Sequence, residues 1–131
     1  MKFLSIYKSV ERNAPPSQEE MAKMGKLVEE GMKGGWLLAT EGCLPTALGA
    51  KVRNSNGKLT VTDGPFTETK EVVGGYAQFE LKSKEEAIEG AVRFMELHQK
   101  YWPEWEGETE IRQIFGPEDF AQHVKELSRT A

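Results

Sequence analysis

Few side chains in this sequence are suited to proton transfer or ligand binding, and they are scattered. Asp63 opens the string Asp63-Gly64-Pro65-Phe66-Thr67-Glu68-Thr69-Lys70-Glu71. Asp-Gly-Pro is also turn chemistry, since Asp bonds to nearby backbone, Gly frees φ and Pro fixes it. One reading is therefore a turn anchored by Phe66. The other places Asp63 at a strand end, with its carboxylate in a cleft and Glu68 and Lys70 beside it to hold a polar ligand. An exposed carboxylate beside a lysine is otherwise a solvated ion pair. His98 lies in the run FMELHQKYW, where Phe94 and Tyr101 fall three to four residues away and give it an aromatic helix face. It reads either as a helix-end histidine favoured by the C-terminal dipole or as a general base, because imidazole titrates near neutrality. Trp102 and Trp105 bracket Pro103 among Glu104, Glu106 and Glu108. They form either a crossover packed on the core edge or an aromatic wall for a small ligand or a partner subunit. Glu110 and Arg112 share one face of a strand by the period of two, with Glu41 on another strand. Charges enclosed on such a face need partners. His123 reads as a surface residue of the tail. Cys43 has no base near it in sequence and reads as structural.

Composition removes several classes. The chain has 131 residues, 38% of them apolar and 29% charged, which is one globular domain. With 21 acids against 17 bases the formal charge is −4, so no nucleic-acid partner is expected. One cysteine and two histidines are too few for a disulfide or a zinc centre, and no metal or other cofactor is expected. A reducing cytoplasm is the simplest compartment. The apolar run at the start is broken by Ser5 and Lys8, so neither a signal peptide nor a membrane span is expected. No G-x-G-x-x-G, phosphate loop, H-E-x-x-H or G-x-S-x-G occurs. Gly74–Gly75 precedes a strand, not a helix, and reads as a bulge or a close backbone approach.

The elements that must position these groups follow from periodicity. Residues 2–8 alternate as a strand, with Leu4 and Ile6 on one side and Phe3, Ser5 and Tyr7 on the other. Ser17 and Glu20 form a capping box that opens a helix over about 18–33, with Met21, Met24, Leu27, Val28 and Met32 as its stripe. Gly34 and Gly35 end it. A second strand covers about 36–42. Asn56–Gly57 turns a hairpin, and a further strand covers about 72–82. Ser83 and Glu86 cap a second helix over about 84–101, with Ala87, Ile88, Ala91, Val92 and Met95 as its stripe. A last strand covers about 108–115, and Pro117 opens a short terminal helix to about 129. Without the hairpin and the tail this is βαββαβ, an α+β ferredoxin-like fold. Its helices cover one face of the sheet. The other face, expected to carry Phe3, Tyr7 and Tyr76, needs a cover, and a second copy of the chain is the expected one.

The Asp63–Glu71 string, followed by Gly74-Gly75-Tyr76, resembles the signature of the YCII-related family, in the branch named for its Asp-Gly-Pro-Phe motif. The resemblance runs over residues 1 to 115 and leaves the tail outside. It implies a ferredoxin-like subunit pairing as a dimeric α/β barrel, and it brings no settled biochemical activity with it. Relatives are small bacterial cytoplasmic proteins in which a His and an Asp meet in a cleft. Some accompany extracytoplasmic-function sigma factors. The better-studied branch carries its His early in the chain, whereas positions 1 to 97 here hold none, so that pair does not transfer.

Three functional readings follow. In the first, an acid–base enzyme acts on a small molecule in the dimer cleft. Asp63 and His98 transfer protons, and Arg112 and Lys70 orient an anion in a site lined by Tyr7, Glu68, Tyr76 and Trp102. The second is a non-catalytic ligand-binding or regulatory protein working with a sigma factor. The third rests on fold analogy alone: a haem-dependent or cofactor-free monooxygenase, for which His98 is the only axial ligand on offer.

Overall fold

A computed structural model describes residues 1–12, 15–67 and 69–130. The elements are β1 (Lys2–Ser9), α1 (Gln18–Gly34), β2 (Leu37–Gly42), β3 (Ala50–Ser55), β4 (Lys58–Asp63), β5 (Val72–Glu80), α2 (Lys84–Tyr101), β6 (Gly107–Ile114) and α3 (Phe120–Thr130). One-turn 3-10 helices precede β3 (Thr46–Leu48) and α3 (Pro117–Asp119). Strands β2, β5, β1 and β6 form one sheet in that order, every neighbouring pair antiparallel. The two outer strands therefore interleave with the inner pair, which makes the architecture α+β and ferredoxin-like. Strands β3 and β4 form a separate two-stranded ribbon. Its turn places Asn56 and Gly57 at φ of 53° and 76°, as the Asn-Gly pair predicts.

The sheet's two faces are the reverse of the expectation for β1. Phe3 and Ser5 are buried, and with Tyr7 they face the helices; Tyr7 stacks on Phe94 of α2 at 4.2 Å. Phe3 and Ser5 pair across the sheet with Phe79 and Ala77, and these four, with Leu37 and Ala87, make the centre of the core. Leu4, Ile6 and Lys8 instead share the open face with Tyr76 and Gln78 of β5 and with Glu110 and Arg112 of β6. The physical reason is register. The small and flat partners Ala77 and Phe79 admit the helices, and a strand that is apolar on both sides follows its neighbour.

Both helices form where their caps predict, but each is rotated. Ser17 accepts from the Glu20 amide and Ser83 from the Glu86 amide. In α1 the buried residues are Glu20 and Gly31, while Met21 and Met32 are about half exposed. In α2, Ala87 is buried and Phe94 turns inward, while Ile88 and Val92 are exposed. Gly31 lies inward, where a Cβ would meet the Leu37 Cβ at 2.8 Å, so α1 comes close to β2 there. The register of β1 against β5 shifts between Tyr7 and Lys8, opposite the Gly74–Gly75 pair. This is the expected bulge, and a Cβ on Gly75 would lie 2.7 Å from the Glu41 carbonyl. The terminal helix packs on the turn before it, where Phe115 contacts Phe120 and His123.

Candidate functional site

The open face gathers one set of polar groups. Glu41, Tyr76, Ile6 and Glu110 are successive partners across β2, β5, β1 and β6, so they form one row. The Tyr76 hydroxyl donates a short hydrogen bond to Glu41. That bond, more than the partial burial that accompanies it, raises the Tyr76 pKa and keeps the phenol protonated. On the other side of Ile6, the Lys8 ammonium lies 2.6 Å from Glu110 and 4.0 Å from Glu108. Arg112 donates to the second Glu110 oxygen at 3.2 Å. These bonds hold the Glu110 carboxyl below the usual carboxylate range, chiefly through Lys8, and raise Lys8 in turn. Arg112 spends one nitrogen on Glu110 and keeps its side chain 68% exposed. Glu110 and Arg112 thus lie on the face away from the helices.

The Asp63 turn sits at the base of the ribbon. It is held by Thr46, not by Asp63. The Thr46 hydroxyl accepts from the Phe66 amide at 3.2 Å and donates to Glu11 at 2.8 Å, while the Thr46 amide donates to the other Glu11 oxygen at 2.6 Å. Gly64 donates from its amide to the Gly49 carbonyl, and the Gly64–Pro65 peptide is cis. Gly64 is required by proximity, since a Cβ there would fall 1.6 Å from the Thr46 carbonyl oxygen. The expectation that Asp63 bonds to nearby backbone is corrected: among the described residues, no hydrogen bond or ion pair holds its carboxylate, and the residue is exposed. The Lys51 ammonium lies 4.5 Å from the Phe66 ring centre and donates to Thr69. Lys70 is exposed in the same loop. Glu68 lies outside the described residues.

His98 lies on the other side of the sheet, between the helices. Its Nε2 is 3.5 Å from Glu20 Oε1, and its Nδ1 is 3.2 Å from the Phe94 carbonyl. Phe94, Trp105 and Trp102 ring it at centroid distances of 4.6, 4.3 and 6.4 Å. Glu20 is 1% exposed and its carboxylate makes no hydrogen bond among the described residues. Burial raises its pKa, and the facing imidazole only partly offsets this. The capping box at Ser17 is therefore half made, because the Glu20 side chain turns inward to His98 instead of back to the cap. The His98 side chain is 12% exposed in this layer. Tyr7, expected at the cleft, is placed here too. Burial pushes its hydroxyl up to about 12, and it borders a small cavity of about 60 Å³ shared with the Ser5 hydroxyl, which makes no hydrogen bond among the described residues.

The structure thus brings together Tyr76 and Arg112, by way of one face, and His98 and Trp102, by way of one helix end. Among the described residues, no hydrogen bond, ion pair or ring contact joins Asp63 and His98. Sequence reading missed Thr46 and Glu11 as holders of the motif turn and saw Glu20 only as a cap. Nothing local marks Thr46, whereas Glu20 carries a weak signal as an acid on the inward face of an amphipathic helix. Among the described residues no group of three or more His, Cys, Asp or Glu is placed to hold a metal ion, and no helix is long and apolar enough to cross a membrane.

Comparison with known proteins places these observations. A segment of 48 residues, 37% of this chain, is 42% identical to an uncharacterized protein of Rhizobium meliloti (strain 1021), and the match spans 39% of that protein's length. The YCII-related domain matches residues 1–95, from β1 through the motif turn and most of α2. With that match over most of its length, the chain belongs to the YCII-related family.

Proposed function

We propose that two copies of this chain pair through their open sheet faces, and that the enclosed cleft binds a small polar molecule for acid–base chemistry. The observation that carries the reading is the bare face on which Leu4, Ile6 and Ile114 lie among Glu41, Tyr76, Lys8, Glu110 and Arg112. An apolar sheet face left wet is costly, and a twofold pairing covers both copies at once. The polar groups on it already have partners, so enclosing them is tolerable. Tyr76, held protonated, offers a neutral phenol beside Glu41 for hydrogen bonding; Arg112 keeps guanidinium N–H groups for an anion; Asp63, whose carboxylate makes no hydrogen bond among the described residues, acts as base. His98, read from the sequence as a proton-transfer residue, lies on the helix side of the sheet against Glu20 and takes no part in this cleft. Lys70 belongs to the loop that would rim the cleft.

Light scattering at micromolar concentration tests the pairing. Twice the 14.7 kDa subunit mass is expected, and Ile6→Arg should give one subunit mass. A wild-type chain of single mass overturns the proposal. A thermal-shift screen of small polar acids then identifies ligands, and hits should weaken at least about tenfold in Tyr76→Phe and Arg112→Ala. Turnover lost in Asp63→Asn supports catalysis. A ligand bound but never converted favours the second reading, a binding or regulatory protein of the kind that accompanies sigma factors, which the short catalytic inventory also supports.

A further inference from the structure

We infer that the cavity between the sheet and helices α1 and α2 binds one small uncharged molecule, larger than water and smaller than benzene, with an apolar body and a single hydroxyl or carbonyl group. The cavity has a volume of about 60 Å³. One water takes roughly 30 Å³ in the liquid, and an apolar cavity of about 150 Å³ admits benzene. Leu27 and Val28 of α1, Leu37 of β2, Phe79 of β5 and Phe94 of α2 give the cavity apolar walls. Among the described residues, Arg93 is the only charged residue that lines it, and that guanidinium already lies 3.4 Å from Glu30. A charged ligand would give up its hydration for walls that are mostly hydrocarbon, which excludes it.

Ser5 marks this space as a site. It is 1% exposed, it lines the cavity, and its hydroxyl makes no hydrogen bond among the described residues. Its neighbours across the sheet are Ala77 and Ile111. Alanine would fill the same place with no polar atom to strand, and a buried hydroxyl without a partner costs stability. A ligand oxygen that accepts from Ser5 removes that cost. Tyr7 lies two residues along the same strand face and lines the cavity too, and its hydroxyl makes no hydrogen bond among the described residues either. The Thr40 hydroxyl, also in the wall, is already donated to the Tyr76 carbonyl at 3.0 Å. Water is the poorer occupant. A buried water makes about three hydrogen bonds, and space walled by hydrocarbon stays dry. A short alcohol or ketone satisfies the hydroxyl with its oxygen and fills the dry part with its methyl groups. The site lies on the helix side of the sheet, so it stands whether or not two copies pair through the open face.

The probes are 2-propanol and acetone, with acetate as a charged control of similar size. Each is titrated into labelled protein while the methyl signals of Leu27, Val28, Leu37 and Ala77 are followed by NMR. Saturable shifts centred on these methyls are expected with the two neutral probes and none with acetate. Ser5→Ala keeps the backbone and removes the hydroxyl. Without ligand it should melt at a higher temperature than the parent, and it should bind both probes at least about tenfold more weakly. Absence of a saturable shift with either neutral probe overturns the site, as does equal binding by Ser5→Ala. A lower melting temperature for Ser5→Ala overturns it as well, because the hydroxyl would then already be bonded within the fold.

Discussion

Glu20 is a carboxyl group that water does not reach, 3.5 Å from an imidazole ringed by aromatic side chains. Burial is the larger influence on it and holds its pKa above the ordinary carboxylate range. A group whose folded pKa is raised binds a proton more tightly folded than unfolded, so its contribution is fully present below the unfolded value. It is lost as pH rises through the folded value. Glu20→Gln keeps the shape and removes the titration. Its melting temperature should fall less than that of the parent as pH is raised from the ordinary carboxylate range towards neutrality, and calorimetry across that range checks it. Gly64 is a second sharp position. With the Thr46 carbonyl where a Cβ would stand, Gly64→Ala should cost about 3 kcal/mol or more in urea unfolding. The motif containing Asp63 and Gly64 is plain in the sequence, but what it needs is not. Thr46 lies far back in the chain and meets the turn only once the ribbon has closed, so no local pattern announces it.

At the scale of elements, caps and turns were legible because they are local chemistry. Ser17, Ser83, Asn56 and Gly35 each act within a few residues, and the structure uses each one. The facing of the elements was not legible. Strand β1 is apolar on both sides, so Phe3 and Leu4 compete for the core until Ala77 and Phe79 of β5 decide it. Helix α1 misled in the same way. Methionines mark a stripe, yet α1 comes close to β2 at Gly31, which no hydropathy pattern registers. Two substitutions in that one helix should therefore differ in sign. Gly31→Ala places a Cβ 2.8 Å from the Leu37 Cβ and should destabilise by about 1–3 kcal/mol. Gly25→Ala meets nothing within 4 Å and should stabilise by up to about 1 kcal/mol. Paired chemical denaturation curves separate the two.

For the whole molecule the arithmetic of layers matters most. Two helices and one sheet give a core centred on Phe3, Leu37, Ala77, Phe79 and Ala87, small for a chain of 131 residues. Large apolar side chains are left exposed on several elements: Met21 and Met32 of α1, Ile88 and Val92 of α2, Phe120, Val124 and Leu127 of α3, Val52, Leu59 and Val61 of the ribbon, and Leu44 and Leu48 between β2 and β3. The α+β order itself was legible from the alternation of periods, because strand and helix signals are long and separated by strong breaks. Which surfaces remain exposed was not legible, because exposure is a property of the assembled layers.

Among the described residues the ribbon formed by β3 and β4 pairs only with itself, and Val52, Leu59 and Val61 stand 70%, 74% and 69% exposed on it. Two strands alone are barely stable in water. Its backbone amides should therefore trade hydrogen for deuterium much faster than those of β1 and β5 in dilute solution, and slow as the protein is concentrated. Mass spectrometry of the peptide spanning residues 50–63 at two concentrations checks this. The order of that segment would then be a reading of how much protein the cell holds, since the ribbon would finish folding only where a neighbour is there to lean on.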